Sequence, residues 1–203
     1  MGITYPDTLV HVVWYQSPNH PELWAPEGDE RSKRYNVGGS WPTAFFDGFY
    51  RAPAVTEVDS FYGVYDNMFG QARSLTTVLE MSLDSATTRL DSTKLSIGVH
   101  ITPTESTVNA MGSLMLVAVV YEDSAPYVSA LRGDTAYARF CARRVVGDTW
   151  GVPLKLHFGT DYDTVLTAPL GVWNRSRLGA VVFVQDTSNL RVLQSVGKLR
   201  FVN

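Results

Sequence analysis

A single cysteine, Cys141, occurs in the 203 residues, which excludes an internal disulfide, a Cys-x-x-Cys redox pair and any cysteine-rich zinc site. Positive charge is not in excess. Seventeen Lys and Arg stand against 20 Asp and Glu, a formal net charge of −3, and the basic residues are scattered apart from Arg143-Arg144 and a cluster of Arg31, Lys33 and Arg34. A nucleic-acid footprint needs a basic face that neutralises several phosphates, so no nucleic-acid partner is expected. No apolar run approaches the roughly 18 residues of a membrane helix, and no transmembrane segment is expected. The opening Met-Gly-Ile-Thr-Tyr-Pro lacks the basic and apolar regions of a signal peptide, although a leader could lie upstream. Also missing are a Gly-x-Ser-x-Gly nucleophile elbow, a phosphate-cradling glycine loop and a dinucleotide fingerprint, so no cofactor is expected.

What remains is 45% hydrophobic and 18% charged, with 16 Gly and 10 Pro, the profile of a turn-rich globular chain. The length suits one large or two small domains, and two are preferred. Residues 8–15 form an almost continuous β-branched and aromatic run, which suits a strand buried on both faces. Residues 26–35 read as a short helix with acids first and bases later, in the order that the helix dipole favours. Glycines 38 and 39 supply its stop. Asp47-Gly48 is a hairpin signal. Over residues 58–79, Phe61, Val64, Tyr65, Met68, Phe69, Ala72 and Leu75 recur at three- and four-residue steps, an amphipathic helix.

From residue 78 the period changes to two. Strands are expected at 79–83, 94–102, 113–122, 137–146, 154–159, 178–185 and 191–201, with no helix between them, the pattern of a two-sheet sandwich. The boundary between domains falls near residues 76–84, giving units of 1–78 and 79–203. The expected class is α+β, an α/β segment followed by an all-β sandwich.

Two groups of residues carry a resemblance. Val12-Val13-Trp14-Tyr15-Gln16-Ser17, the helix that reaches Tyr35, and Val37-Gly38-Gly39-Ser40-Trp41-Pro42-Thr43-Ala44-Phe45-Phe46-Asp47-Gly48 resemble the second half of a thioredoxin fold. The segments around Val119–Asp123, Arg139–Val146 with Gly151, and Val181–Asp186 with Val192-Leu193-Gln194 resemble the immunoglobulin-like sandwich of outer-membrane proteins of the Omp-twenty-eight type, which couple such a sandwich to a thioredoxin-like domain. The resemblance implies a cis bond at Trp41-Pro42 and an extracytoplasmic location, in the cell envelope or secreted. The strand and helix that carry Cys-x-x-Cys in a complete thioredoxin fold have no counterpart here, so the family's redox activity is not carried over. Their loss strips cover from Val10, Val12 and Trp14, which a partner chain, a rearranged sheet or a close contact with the sandwich would have to replace.

Each candidate site has a plainer reading beside it. Trp41, Pro42 and Thr43 lie where thioredoxin-like proteins hold extended peptide along a strand edge, or they are a folding feature only. Cys141 could be a reactive thiol activated by Arg139 and Arg143, or an inert half-buried cysteine. His11, His20, His100 and His157 show no HExxH or His-x-His spacing and are expected to be isolated, with no metal bound. Asp161, Asp163 and Asp186 could meet around calcium or be exposed loop acids. Glu27, Asp29 and Glu30 could mimic a paired-carboxylate site, though a helix start explains them more simply.

The expected function is non-catalytic: a binding or structural protein of the bacterial envelope or extracellular space that works through self-association, as a homo-oligomer, or through a protein partner. The alternative is a fragment of a thiol-disulfide oxidoreductase whose Cys-x-x-Cys half lies upstream or on another chain. A third reading, a hydrolase or metal enzyme built from scattered acids and histidines, would need a pocket with converging ligands.

Overall fold

The computed structural model describes residues 12–15, 20–37, 43–52, 58–129, 133–198 and 201. Helix α1 (Pro26–Arg34) begins with proline, whose missing N–H is not needed in a first turn, and carries Glu27 and Asp29 before Arg31, Lys33 and Arg34. It ends earlier than the glycines. Asn36 takes the left-handed conformation at φ 50°, and the Val37 and Asn36 amides return to the Ser32 and Lys33 carbonyls, both at 3.1 Å. Strands β1 (Ala44–Phe46) and β2 (Tyr50–Ala52) pair antiparallel, and Asp47 and Gly48 both adopt positive φ in the turn between them.

Helix α2 (Val58–Arg73) lays Val64, Tyr65, Met68, Phe69 and Ala72 on this hairpin, with the Tyr65 ring edge-on to Phe46 at 5.6 Å. It stops at Arg73, short of residue 79, where Ser74 turns its hydroxyl onto the Gln71 carbonyl at 2.7 Å.

The sandwich follows as β3 (Leu79–Leu90), β4 (Lys94–Pro103), β5 (Leu114–Glu122), β6 (Ala125–Val128), β7 (Thr135–Ala138), β8 (Cys141–Val145), β9 (Val152–Pro153), β10 (Tyr162–Pro169), β11 (Leu178–Asp186) and β12 (Val192–Lys198). One sheet has the order β10-β4-β3. The other is β12-β11-β5-β8, with β9 pairing to β5 at Met115 and Leu116, and β6-β7 form a separate hairpin. The architecture of the described residues is therefore mainly β, a sandwich with two helices packed outside it. Leu95, Ile97, Val99 and Ile101 of β4 meet Leu116, Ala118 and Val120 of β5 and Ala180, Val182 and Val184 of β11 in one core.

The runs in β5 and β11 are continuously apolar because their sheet is covered on both faces. Val117, Val119, Ala142 and Val145 form a second cluster on the outer face, against Val12, Trp14 and Phe183. The face of β4 at Gly98 is covered by Thr87 and Asp84 of β3, which crowd the position a side chain would take. Register shifts between Asp84 and Arg89 of β3, and Thr88 Oγ1 there bonds both the N–H and C=O of Gly98, at 3.0 and 3.3 Å.

Several strand expectations need correction. Residues 154–159 do not form a strand: Leu154 and Leu156 alternate into the core, but among the described residues the segment makes only the Leu154 N–H to Leu114 O bond of 2.9 Å and an isolated bridge from His157 to Thr160. The strand in that part of the chain is β10, outside the expected set. The β6-β7 hairpin was likewise not expected, and residues 137–146 are not one strand, because Phe140 at φ 49° breaks them into β7 and β8. The described part of the 8–15 run makes isolated parallel bridges, Val13 to Cys141 and Tyr15 to Trp24, so its cover is a contact with the sandwich.

Candidate binding site

The segment before α1 and α1 itself are held against the outer face of the β8 sheet. The Val13 amide donates to the Phe140 carbonyl at 2.9 Å, and the Ala142 amide donates to the Val13 carbonyl at 2.8 Å. α1 is a polar helix, and its anchor is Arg31, only 4% exposed. The guanidinium lies 4.9 Å from the Trp150 ring and 5.8 Å from those of Trp14 and Phe183, and Nε donates to the Thr149 carbonyl at 3.1 Å. Burial lowers the Arg31 pKa from its ordinary value, with Tyr35 and Glu27 opposing it electrostatically. Arg34 adds a bond of 2.7 Å to the Thr187 carbonyl and lies over Trp150.

Beneath this arm sits Cys141, which is fully buried with Leu23, Ala125 and Ala138, its thiol 3.3 Å from the Leu23 carbonyl. Burial pushes the thiol up to about 11; Arg143 works against that shift and Glu122 reinforces it. The thiol is thus protonated at neutral pH. Alkylation of the native protein is expected to be slow, and to reach one label per chain once it is unfolded, which intact mass measures. Alternation predicted Cys141 on one face with Arg139 and Arg143. Both arginines are engaged elsewhere, Arg139 with Asp123 and Arg143 with Glu122 at 2.6 Å, and although the charge of Arg143 still acts on the thiol, burial outweighs it.

Where the two sheets end laterally, the sandwich is closed on one side and open on the other. On the closed side β3 and β12 approach through Gln194 Nε2 to the Leu79 carbonyl at 3.4 Å and Thr77 Oγ1 to the Leu193 carbonyl at 3.0 Å. On the open side the last strands are β8 and β10, and an open cavity of about 210 Å³ lies between them. It is lined by Glu27, Arg144, Val145, Gly147, Thr167 and Pro169 among others. Glu27 Oε1 accepts the Val145 amide at 3.3 Å, doing for the β8 edge what a neighbouring strand's carbonyl would do. Its other oxygen, Oε2, is buried without a hydrogen-bond partner among the described residues. Arg144 is half-buried, and its side chain makes no ion pair or hydrogen bond with any described residue. The helix dipole alone accounts for Glu27 in the sequence, and no motif marks Arg144 as its counterpart. They stand 117 positions apart, and only the docking of α1 on β8 brings them together.

Other candidates fall in different places. Trp41, Pro42 and His11 lie outside the described residues; Thr43 is half-buried and leads into β1. His20 stacks edge-on to Tyr127 at 4.9 Å, and His157 is exposed at a tight turn closed by Thr160. Among the described residues no group of three or more His, Cys, Asp or Glu is placed to hold a metal ion. Asp186 instead accepts from the Ser188 amide at 2.9 Å in its own turn, while Asp161 and Asp163 face β4 residues.

Asp163 and Asp161 join a chain of bonds across β4 and β10. Asp163 Oδ1 is 2.8 Å from His100 Nδ1, His100 Nε2 is 3.2 Å from Thr102 Oγ1, and that hydroxyl donates to Asp161 at 2.9 Å. The bond to Asp163, aided by its charge and that of Asp161, raises the His100 pKa despite partial desolvation. Because the folded value is the higher one, the stabilisation is complete below the ordinary histidine pKa of about 6.5 and fades as pH rises through the folded pKa. Hydrogen exchange of the β10 amides is expected to quicken, beyond the intrinsic rise with hydroxide, as pH rises above the ordinary histidine range and the ring loses its proton, and His100→Gln to abolish that excess. Equal pH profiles for the two proteins would contradict this assignment.

No family model matches the sequence, and a search of curated proteins found no match. Solved structures do match. HBP35 of Porphyromonas gingivalis aligns over 91% of this chain with a TM-score of 0.70 at 11% identity, and the chain spans 61% of the length of that protein. A domain of the outer membrane lipoprotein Omp28 from Porphyromonas gingivalis aligns over 62% of this chain and 90% of its own, with a TM-score of 0.43 at 16% identity. At these identities it is the fold that is shared, and the likeness to HBP35 shows that fold along nearly the whole chain.

Proposed function

We propose that this chain is a non-catalytic binding or structural protein of the bacterial envelope or extracellular space, acting through contacts with other protein chains, further copies of itself included. The observation that carries the reading is the open side of the sandwich. Among the described residues β10 presents eight residues bonded to a neighbour on one side only, with the β8 edge across the cavity from it. Exposed apolar side chains lie on other parts of the surface, among them Tyr137, Val128, Tyr62 and Val172.

The envelope or secreted placement is supported by the resemblance of the sandwich segments to the Omp-twenty-eight type and by the fold shared with HBP35. The order of β1, β2 and α2, a hairpin and then a helix packed on it, supports reading residues 1–78 as a thioredoxin-like remnant and 79–203 as an immunoglobulin-like sandwich. In that reading the Trp41-Pro42-Thr43 stretch, just before the β1 edge, is a second place where extended peptide is held.

Light scattering coupled to size exclusion, across a dilution series of the purified chain, tests self-association directly. A mass of two or more chains that falls on dilution supports it. A monomer throughout, in a protein that also recovers no partner after crosslinking in its own envelope fraction, would overturn the reading.

A further inference from the structure

We propose that the cleft between β8 and β10 binds an extended segment of another protein that carries a basic and an acidic side chain two residues apart, the basic group meeting Glu27 and the acidic group meeting Arg144. This rests on the docking function above and specifies its ligand. The cavity holds two charges of opposite sign that do not pair with each other. One is the Glu27 carboxylate, whose Oε2 is buried without a hydrogen-bond partner among the described residues while Oε1 is held by the Val145 amide. The other is the Arg144 guanidinium, unpaired among the described residues. Arg31, one turn along α1, acts electrostatically on Glu27, but its guanidinium lies among the Trp14, Trp150 and Phe183 rings, its Nη2 is itself buried without a partner among the described residues, and it makes no hydrogen bond to Glu27.

Leaving a buried charged oxygen unmatched is unfavourable, so a ligand that supplies a donor there gains a charge-assisted bond. A small ion would satisfy only one of the two groups, and a phosphate-rich polymer would be repelled by Glu27. An extended peptide can offer a group to each, since alternate side chains of a strand point the same way about 7 Å apart. Its backbone would lie beside Thr167 on the free edge of β10, which ends at Pro169, a residue with no N–H to offer. The volume, about 210 Å³, is below the roughly 300–1,000 Å³ of pockets for whole drug-sized ligands and suits a pair of side chains from a longer segment.

The probe is acetyl-Val-Lys-Val-Glu-Val-amide, titrated into the whole chain while amide resonances are followed by NMR. Shifts at Val145, Gly147 and Thr167 are expected, with Glu27→Gln and Arg144→Gln each weakening binding about tenfold. Glu27→Gln retains an oxygen for the Val145 amide, so the fold is preserved. A second peptide with norleucine in place of lysine should bind the unaltered chain more weakly and the E27Q chain no differently from the first peptide.

No shift up to about 10 mM peptide, a range that covers even weak millimolar contacts, would overturn the proposal. So would shifts that neither substitution changes, or shifts confined to the β6-β7 hairpin. These failures are separable from failure of the general docking reading, which the dilution series decides without any peptide.

Discussion

Replacing Arg143 with methionine is expected to lower the unfolding free energy by about 3–5 kcal/mol, the usual cost of removing one partner from a buried ion pair. Glu122 is 2% exposed, and its Oε2 accepts both Nε and Nη2 of Arg143, at 2.9 and 2.6 Å, while Oε1 accepts the Asn174 amide at 3.2 Å. Arg143 also donates to the Glu22 carbonyl at 2.6 Å, which ties the segment before α1 to the sheet. The substitution leaves a carboxylate in the interior with one backbone donor. Chemical denaturation measures the effect. Pairing Arg143→Met with Glu122→Gln should recover part of the loss, because the second change removes the stranded charge. A single-variant loss below about 1 kcal/mol would show that water reaches Glu122 and that the pair behaves as a surface bridge.

Gly151→Ala should be comparably damaging, about 3 kcal/mol, for a reason that involves no charge. Gly151 sits at φ 92° in the return from β8 to β9, and an added methyl would press into the Leu116 carbonyl and lie 2.9 Å from the Val117 Cα, both backbone groups of β5 that cannot swing aside. The turn must be this tight for β8 and β9 to occupy the same edge of β5 one after the other. Gly133 provides the comparison. It is at φ 69°, yet nothing lies within 4 Å of the position a methyl would take, so Gly133→Ala should cost only the conformational preference, about 1 kcal/mol. Equal losses from the two substitutions, in matched denaturant titrations, would mean that backbone conformation and not the approach to β5 decides Gly151.

The helices and the Asp47-Gly48 turn were legible because their signals are local. Pro26 with Glu27 and Asp29 marks a helix start whatever packs on it, and Met68, Phe69 and Ala72 share a face by spacing alone. β5 and β11 were legible from their apolar runs. β10 was missed because Asp163, Thr164 and Thr167 dilute the alternation at an edge where one face meets water, while Leu154 and Leu156 imitate a strand by alternating into the core. The break at Phe140 is a left-handed residue of a type that rarely takes that conformation, so composition gives no warning of it. The cavity was illegible in principle. Its carboxylate lies on α1 and its guanidinium on β8, and only the seating of Arg31 among three aromatic rings, each from a different part of the chain, brings the two strand edges and both charges to one place.

The burial of Cys141 under Leu23 and the Val13 bridge gives the molecule a built-in clock. The one thiol can meet a reagent only while the arm that runs from residue 12 to α1 is lifted from β8, so the rate of thiol modification in native buffer, divided by the rate for the unfolded chain, is the fraction of time that the arm spends open. The chain thus reports, with no added probe, how firmly its own polar helix is seated. A binding partner that stiffens or loosens that seating would announce itself as a change in the ticking of a single sulfur atom.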